Sequence, residues 1–246
     1  MRGKLTGVLV AVTALMAPAA AHAGYAHYEV RSGTIGDVIP RFNAGPGEKP
    51  DVSVQFVDFT TVLIEDRANP MVAGPPPTGL DGNVDPTSGE QRLLYENAQP
   101  CDVISTHVAR CTAPAGLILR EMEIDTGLLA ARIRDVPGGV ERPIHIFSGP
   151  LSDDIELHHF ETTRVSDLGG NNRIRVGTPS GGFYEPTVFV AVGPGNSVIN
   201  VRNGSGGDLV DCMSVRTASF GLPAIGGHVF ADVGDVVQGC KNVQTG

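Results

Sequence analysis

Short stretches in which apolar and polar residues alternate recur along most of the chain. This period-two pattern is typical of β strands that bury one face, and Gly, Asn, Asp and Pro separate the stretches as turn residues do. The clearest stretches are residues 52–56, 122–124, 144–146, 155–157, 174–176, 188–190 and 198–201. Helical patterning is weak, and the longest candidate helix covers only residues 89–97. The pattern therefore predicts an all-β fold.

Between residues 127 and 198 the predicted turns recur at a nearly constant interval. Each turn contains glycine and precedes an aliphatic residue, and these aliphatic residues are 22, 19 and 24 positions apart. The four aliphatic residues are Ile133, Ile155, Ile174 and Val198. A unit of about 20 residues with strands on both sides of a turn is typical of one coil of a solenoid. We therefore predict a solenoid that stacks these four residues in one column.

The segment NGSGGDLVDC, residues 203–212, contains the glycine and aspartate spacing of a known calcium-binding repeat. With ARCTAPAGLILREMEIDTG, VGPGNSVINVRNGSGGDLVDC and ADVGDVVQGCKNV, it makes residues 105–243 resemble secreted actinobacterial proteins related to the repeats-in-toxin (RTX) β-roll family, in degenerate form. Residues 28–68 resemble one or two preceding coils. The resemblance implies a right-handed parallel β-helix or β-roll in which turn carbonyls and aspartates of stacked coils hold calcium.

The family repeat places aspartate two positions before each aliphatic residue, and this chain keeps it only in part. The residues found there are Ala131, Asp153, Asn172, Asn196, Asp208 and Asp235. Stacked carboxylates repel one another unless a cation lies between them, whereas uncharged asparagine amides can donate to the next coil. We therefore predict an amide ladder through Asn172 and Asn196, with amide, apolar and disulfide contacts stabilising the solenoid more than calcium.

Two turns are candidates for weak calcium sites. The first comprises Gly204, Gly206 and Asp208, which nearly complete the family turn. The second comprises Asp153 and Asp154, whose turn lacks the second glycine. Calcium requires six to eight oxygen ligands, so each turn needs further donors from its neighbours. The alternative interpretation is that Asp208 only solvates a turn.

Two further motifs contain residue types that bind metals. Asp81, Asn83 and Asp85 match the first three ligand positions of a calcium loop, although proline stands where that loop requires glycine. A hydrated surface loop is the alternative for this segment. His158 and His159 are adjacent, and adjacent strand residues point to opposite faces, so a surface pair is favoured over a zinc site.

The first 23 residues are typical of a secretory signal peptide. Basic residues precede an apolar run, and a small-x-small cleavage site ends at Ala23. The run is shorter than the roughly 20 residues of a membrane span, and no later segment is apolar enough to cross a bilayer. We predict a secreted protein with one solenoid domain over residues 24–246 and a long loop at residues 69–100.

All four cysteines lie in the predicted mature chain. An even number of cysteines in an exported protein favours disulfides over free thiols. Three pairings are conceivable, and proximity in sequence favours Cys101–Cys111 and Cys212–Cys240. Each closure is expected to stabilise the fold by about 2–4 kcal/mol, chiefly by restricting the unfolded chain.

Charge and motif content narrow the function. The net charge is −9 and no Lys/Arg cluster is present, which argues against a nucleic-acid partner. The sequence has no Trp and lacks the Gly-x-Ser-x-Gly, His-Glu-x-x-His and Walker motifs. We predict a secreted, non-catalytic, RTX-like solenoid with a surface or extracellular-matrix role, whose partners are calcium, the cell surface or another extracellular protein.

The alternative is a carbohydrate-active β-helix enzyme, either a polysaccharide lyase or a hydrolase. Such an enzyme needs paired carboxylates, or a carboxylate with calcium and a basic residue, in a groove. Asp153, Asp154, Arg173 and Arg175 are the residues that would line this groove. Their arrangement on one concave face, or the lack of it, discriminates between the two functions.

Overall fold

The computed structural model describes residues 23–31, 37–75, 98–158, 160–177, 187–204, 206–212 and 227–246. Within these ranges the chain forms 21 β strands in two sheets and no helix, which confirms the predicted all-β class. The candidate helix at 89–97, the calcium-loop motif at 81–85 and residues 1–22 of the predicted signal peptide lie outside the described residues.

The strands are short and follow one another through turns. In chain order they are β1 (Gly24–Arg31), β2 (Asp37–Asn43), β3 (Asp51–Phe56), β4 (Thr61–Asp66), β5 (Met71–Ala73), β6 (Ala98–Pro100), β7 (Asp102–Ser105), β8 (Val108–Thr112), β9 (Ile118–Leu119), β10 (Met122–Asp125), β11 (Arg132–Asp135), β12 (Ile144–Ser148), β13 (Asp154–Leu157), β14 (Thr162–Asp167), β15 (Arg173–Val176), β16 (Thr187–Ala191), β17 (Val198–Asn200), β18 (Leu209–Asp211), β19 (His228–Ala231), β20 (Val236–Gln238) and β21 (Asn242–Thr245).

Both sheets contain parallel and antiparallel strand pairs, and from β10 onward the pairs are parallel. The eleven-stranded sheet has the order β20-β18-β16-β14-β12-β10-β2-β1-β5, with β6 beside β1 and β9 beside β2. The ten-stranded sheet has the order β21-β19-β17-β15-β13-β11-β3-β4-β8-β7. Antiparallel pairs such as β1 with β2 and β3 with β4 form the first part. From β10 onward, consecutive strands alternate between the sheets, and each pairs in parallel with the strand two places later.

Aliphatic residues align across the parallel strands of the ten-stranded sheet. Ile133 lies opposite Ile155, and Ile155 lies opposite Ile174, as the sequence interval predicted. The fourth predicted member was wrong, because Ile174 lies opposite Ile199 while Val198 lies opposite Arg173. Adjacent strand residues point to opposite faces, so this one-residue difference leaves Val198 41% exposed and Ile199 fully buried.

A second column of apolar residues lines the eleven-stranded sheet. It contains Ile124, Ile146, Val165, Val190 and Val210, which are register partners from β10 to β18. The buried residues of both columns belong to one hydrophobic cluster. Removing such aliphatic side chains from water is the main favourable contribution to folding, at about 1.5–3 kcal/mol per side chain.

Glycine turns bring successive backbone segments into close contact. Gly170 and Gly195 have positive φ angles of 101° and 156°, and residues other than glycine rarely adopt such a backbone conformation. A Cβ atom on Gly195 would overlap the carbonyl of Gly170, and one on Gly170 would overlap the carbonyl of Leu151. These turns therefore require glycine both for backbone conformation and for space.

Both predicted disulfides are present, as Cys101–Cys111 and Cys212–Cys240. The segment predicted as a long loop, residues 69–100, contains strands β5 and β6 near its two ends, while residues 76–97 lie outside the described ranges. In the part of the chain that the structure describes, no helix is long and apolar enough to cross a membrane.

Candidate functional site

The predicted calcium residues fall into two separate acidic turns. Asp153 precedes β13 in the ten-stranded sheet, whereas Asp208 precedes β18 in the eleven-stranded sheet. Both carboxylates are buried, at 3% and 0% exposure. Asp154 is half-exposed on the opposite face of its strand, so it does not join Asp153. The structure therefore places Asp153 and Asp208 in different sheets, although both occupy the same position of the sequence repeat.

The Asp153 cluster consists of Ser148, Asp153, Asp167 and Asn172. The Ser148 hydroxyl donates to Asp167 Oδ1 at 3.0 Å, and Asn172 Nδ2 donates to Asp167 Oδ2 at 2.6 Å. Asp153 Oδ1 accepts from the backbone N–H of Ala131 at 2.7 Å. Asp153 Oδ2 is buried without a hydrogen-bond partner among the described residues. The backbone N–H of Gly169 also donates to Asp167 Oδ2 at 3.1 Å, so two carboxylates share one buried site.

Burial controls the proton affinity of this cluster. Loss of hydration raises the pKa of Asp153 to about 6. Loss of hydration also raises the pKa of Asp167 to about 7, with the nearby charge of Asp153 adding to the effect. Carboxylates that interact this closely titrate as a pair. Near neutral pH the two carboxyl groups of the cluster are therefore partly protonated.

Turn side chains form a ladder that links successive strands of the ten-stranded sheet. The backbone N–H of Asp153 donates to Asn172 Oδ1 at 2.8 Å, and the backbone N–H of Asn172 donates to Ser197 Oγ at 3.2 Å. With the Ala131–Asp153 bond, each side-chain oxygen accepts from the equivalent residue of the preceding turn. The predicted amide-to-amide ladder was wrong, because Ser197 takes the position assigned to Asn196, which is exposed.

The Asp208 cluster consists of Asn203, Asp208, Asp232 and Asp235, beside Gly204. Asp208 accepts from the N–H of Val188 at 2.9 Å and from Asn203 Nδ2 at 2.7 Å. This bond to Val188 repeats the ladder on the other sheet. Loss of hydration raises the pKa of Asp208 to about 6, and the charges of the two neighbouring aspartates add to the rise.

The other carboxylates of the Asp208 cluster also bind backbone N–H groups. Asp232 Oδ2 accepts from Asn203 at 2.8 Å and from Gly204 at 2.7 Å. Asp235 accepts from the N–H of Asp208 at 3.1 Å and from that of Asp232 at 2.7 Å. Gly206 lies against the carbonyl of Val233. Backbone N–H groups therefore already donate to all three aspartates of this cluster.

The acidic turns and His158 contain residue types that bind metals. Across the described ranges, no group of three or more His, Cys, Asp or Glu side chains has an arrangement that could hold a metal ion. His158 lies 3.5 Å from Glu156 through Nε2, while His159 lies outside the described residues.

The outer face of the ten-stranded sheet carries alternating charges. Arg132 forms an ion pair with Asp154 at 3.4 Å, and Arg175 pairs with Glu156 at 2.9 Å. Arg173 lies beside Asp154 in register, so basic and acidic residues do meet across neighbouring strands. Asp153 lies buried in its own cluster, and the four proposed groove residues therefore do not share one surface.

Sequence reasoning missed Asp167 and Asp232. Asp167 alternates with Thr163 and Val165, both buried, so the period-two pattern contained a signal for its inward position. Asp232 offered no comparable signal, because it follows β19 in a turn and reaches Asn203 only through the fold. Tertiary proximity is what makes each of these carboxylates part of a cluster.

A buried charged group on β1, β2 and β10 was also missed. Arg41 pairs with Glu123 at 2.7 Å and with Glu29 at 3.3 Å. His27 lies opposite Arg41, and loss of hydration together with the Arg41 charge lowers the pKa of His27 to about 3. The side chains of Arg41, Glu123 and Glu29 are only 7%, 8% and 13% exposed, which favours a structural role in holding these strands in register.

Comparison with protein-family models, with curated protein sequences and with solved structures found no match. The resemblance to RTX proteins therefore stays a prediction from the quoted segments. The function has to be argued from the geometry of this chain.

Proposed function

We propose that this chain is a secreted, non-catalytic β-solenoid protein of RTX-like type, with a structural or binding role at a cell surface or in an extracellular matrix. The observation that carries the proposal is the parallel, in-register pairing of alternating strands from β10 to β21. Each strand pair with its turns corresponds to one coil, and stacked coils bury a continuous core.

The turn ladder supports a scaffold that stands without calcium. Buried backbone N–H groups require acceptors, and Asp153, Asn172, Ser197 and Asp208 supply them from the following coil. Protons can neutralise the buried carboxylates because burial raises their pKa values. We propose that any calcium at Gly204, Gly206 and Asp208, or at Asp153 and Asp154, binds weakly and adds to a fold already formed.

Circular dichroism in EDTA and in calcium tests this proposal on the oxidised protein. The strand spectrum should persist in EDTA, and calcium should raise the melting temperature by only a few degrees. A ligand at ten times its dissociation constant stabilises by about 1.4 kcal/mol, which corresponds to such a shift. A strand spectrum that forms only when calcium is added would refute the calcium-independent scaffold.

The two disulfides are compatible with an extracellular location. Export with removal of residues 1–23 is part of the proposal. Mass spectrometry of the exported protein should find Gly24 as its first residue, and an intracellular, reduced and uncleaved chain would contradict secretion.

The enzyme alternative receives less support from the geometry. It requires carboxylates and arginines in one groove, and burial of Asp153 removes a central member of that set. The remaining exposed acids, Asp154 and Glu156, are engaged in ion pairs with Arg132 and Arg175. A binding role is the better account of this face.

A further inference from the structure

A shallow depression lies on the outer face of the ten-stranded sheet. Its volume is about 180 Å³, and Arg173, Arg175, Val198, Asn200 and Phe230 line it. Pockets for drug-sized ligands measure roughly 300–1,000 Å³, so this depression is the size for one ring of a longer molecule. Its lining combines guanidinium, amide and aromatic groups.

The depression begins where the charge pairing on this face ends. Toward β13, Arg175 is paired with Glu156 at 2.9 Å. Toward β17, the register partners of the two arginines are Val198 and Asn200, which carry no charge. Arg173 lies opposite Asp154 in register, but Asp154 is paired with Arg132, and no carboxylate among the described residues lies within ion-pair distance of Arg173. The charged residues that line the depression are therefore both arginines, on a protein whose total charge is −9.

A third guanidinium group adds to this charge. The Arg202 guanidinium carbon lies 5.5 Å from the centre of the Phe230 ring. Arg202 donates to the backbone carbonyl oxygens of Ala231 at 3.4 Å and Gln244 at 3.1 Å. These carbonyl acceptors carry no charge, and Arg202 lies beside the Phe230 ring that lines the depression.

We propose that this depression binds the uronate residue of an acidic extracellular polysaccharide. Arg173 donates two parallel hydrogen bonds to the sugar carboxylate, as guanidinium groups do with planar anions. The Phe230 ring packs against the apolar face of the sugar. Asn200 Oδ1 already accepts from the N–H of Arg202 at 3.1 Å, and the amide nitrogen of Asn200 donates to a sugar hydroxyl.

The chemistry favours a glycan over other polyanions. A nucleic acid or an anionic membrane spreads charge over a large area, and the overall charge of −9 repels both outside this patch. An acidic peptide supplies carboxylates but no sugar ring whose C–H face can pack against Phe230 in the small depression. This proposal rests on the non-catalytic role proposed above and names its ligand class.

Isothermal titration calorimetry with tri-galacturonate in EDTA tests the proposal. The wild-type protein should bind with a dissociation constant of about 1 mM or tighter, weakening as salt increases. The methyl-esterified trisaccharide, which lacks the charges, should bind at least tenfold more weakly. Arg173→Gln should weaken tri-galacturonate binding about tenfold, as expected for loss of a charge-assisted pair.

Arg132→Gln is the matched control, because Arg132 lies on the same face but is paired with Asp154. Its affinity for tri-galacturonate should stay within twofold of the wild-type value. Both arginines are exposed, so circular dichroism should show both variants folded. An equal loss in the two variants would mean general charge attraction and would overturn the site.

Other outcomes also decide the proposal. No binding at 10 mM trisaccharide, or equal binding of the methyl ester, overturns it. Equal binding of hexaglutamate or of free sulfate overturns the sugar assignment. Cleavage of the trisaccharide would refute the non-catalytic role while leaving the binding site in place, and failure to bind would leave the calcium-independent scaffold untouched.

Discussion

Replacing the buried Asp153 carboxylate with an amide should stabilise the protein at alkaline pH. Asp153→Asn keeps the oxygen that accepts from the backbone of Ala131 at 2.7 Å. The substitution puts an amide nitrogen in place of Oδ2, which is buried without a partner among the described residues. It also removes a buried negative charge beside Asp167. Removal of this charge favours the folded state when Asp153 would otherwise be ionised.

The magnitude follows from the raised pKa of Asp153. Burial moves this pKa from 3.8 to about 6, so the folded protein binds the proton more tightly than the unfolded chain. The resulting stability is complete below pH 3.8 and is lost as the pH rises through about 6. The shift corresponds to about 3 kcal/mol. Asp153→Asn should therefore raise the free energy of unfolding by about 3 kcal/mol at pH 8. At pH 5 this increase should be smaller by about 1.4 kcal/mol.

Urea denaturation followed by circular dichroism at pH 5 and pH 8 measures both gains. The pKa of Asp167, which the charge of Asp153 helps to raise, should also fall in the variant and can be followed by NMR. The control is Asp154→Asn, which removes a half-exposed carboxylate paired with Arg132. Such surface pairs contribute about 1 kcal/mol or less, so this variant should lose no more than that.

The reasoning would be refuted by a variant that is no more stable than the wild type at pH 8. A gain of equal size at both pH values would also contradict it, because ionisation of Asp153 would then not be the cause.

Two further perturbations test the packing and the cross-links. Ile174→Ala should cost about 2–5 kcal/mol in urea denaturation because Ile174 is buried in the aligned column, whereas Val198→Ala should cost under about 0.5 kcal/mol. Similar losses at both positions would contradict the register. Replacing Cys212 and Cys240 with serine should cost about 3–4 kcal/mol because the bond closes a 28-residue separation, and unchanged stability would show that this closure contributes nothing.

Strand content and disulfide pairing followed directly from local sequence features. Alternation over residues such as Ile155–Leu157 identifies a strand without knowledge of its neighbours, because side chains of a strand point alternately to two faces. The Cys101–Cys111 pair lies close in sequence, so chain connectivity alone brings the two thiols near one another.

Register could not be read from the same pattern at every position. Val198 and Ile199 are both aliphatic neighbours, and either could point inward. Pairing of Ile199 with Ile174 decided the choice, since burying Val198 instead would have turned Asn200 into the core and Ile199 out of it. At this position the glycine-to-aliphatic interval was therefore correct to within one residue, but it assigned Val198 to the wrong face of the sheet.

The amino-acid sequence by itself determined the class of secondary structure, the recurring turns and the cross-links, because each depends on residues close together in the chain. Only the tertiary structure decided which carboxylates are buried and which arginines lack a carboxylate partner. Asp153 and Asp167 meet, and Arg202 reaches Phe230, through strands that pair across long separations. Burial and neighbouring charges determine the proton affinity of the carboxylates and the ligand preference of the arginines. Neither burial nor neighbouring charge is defined before the strands are in register.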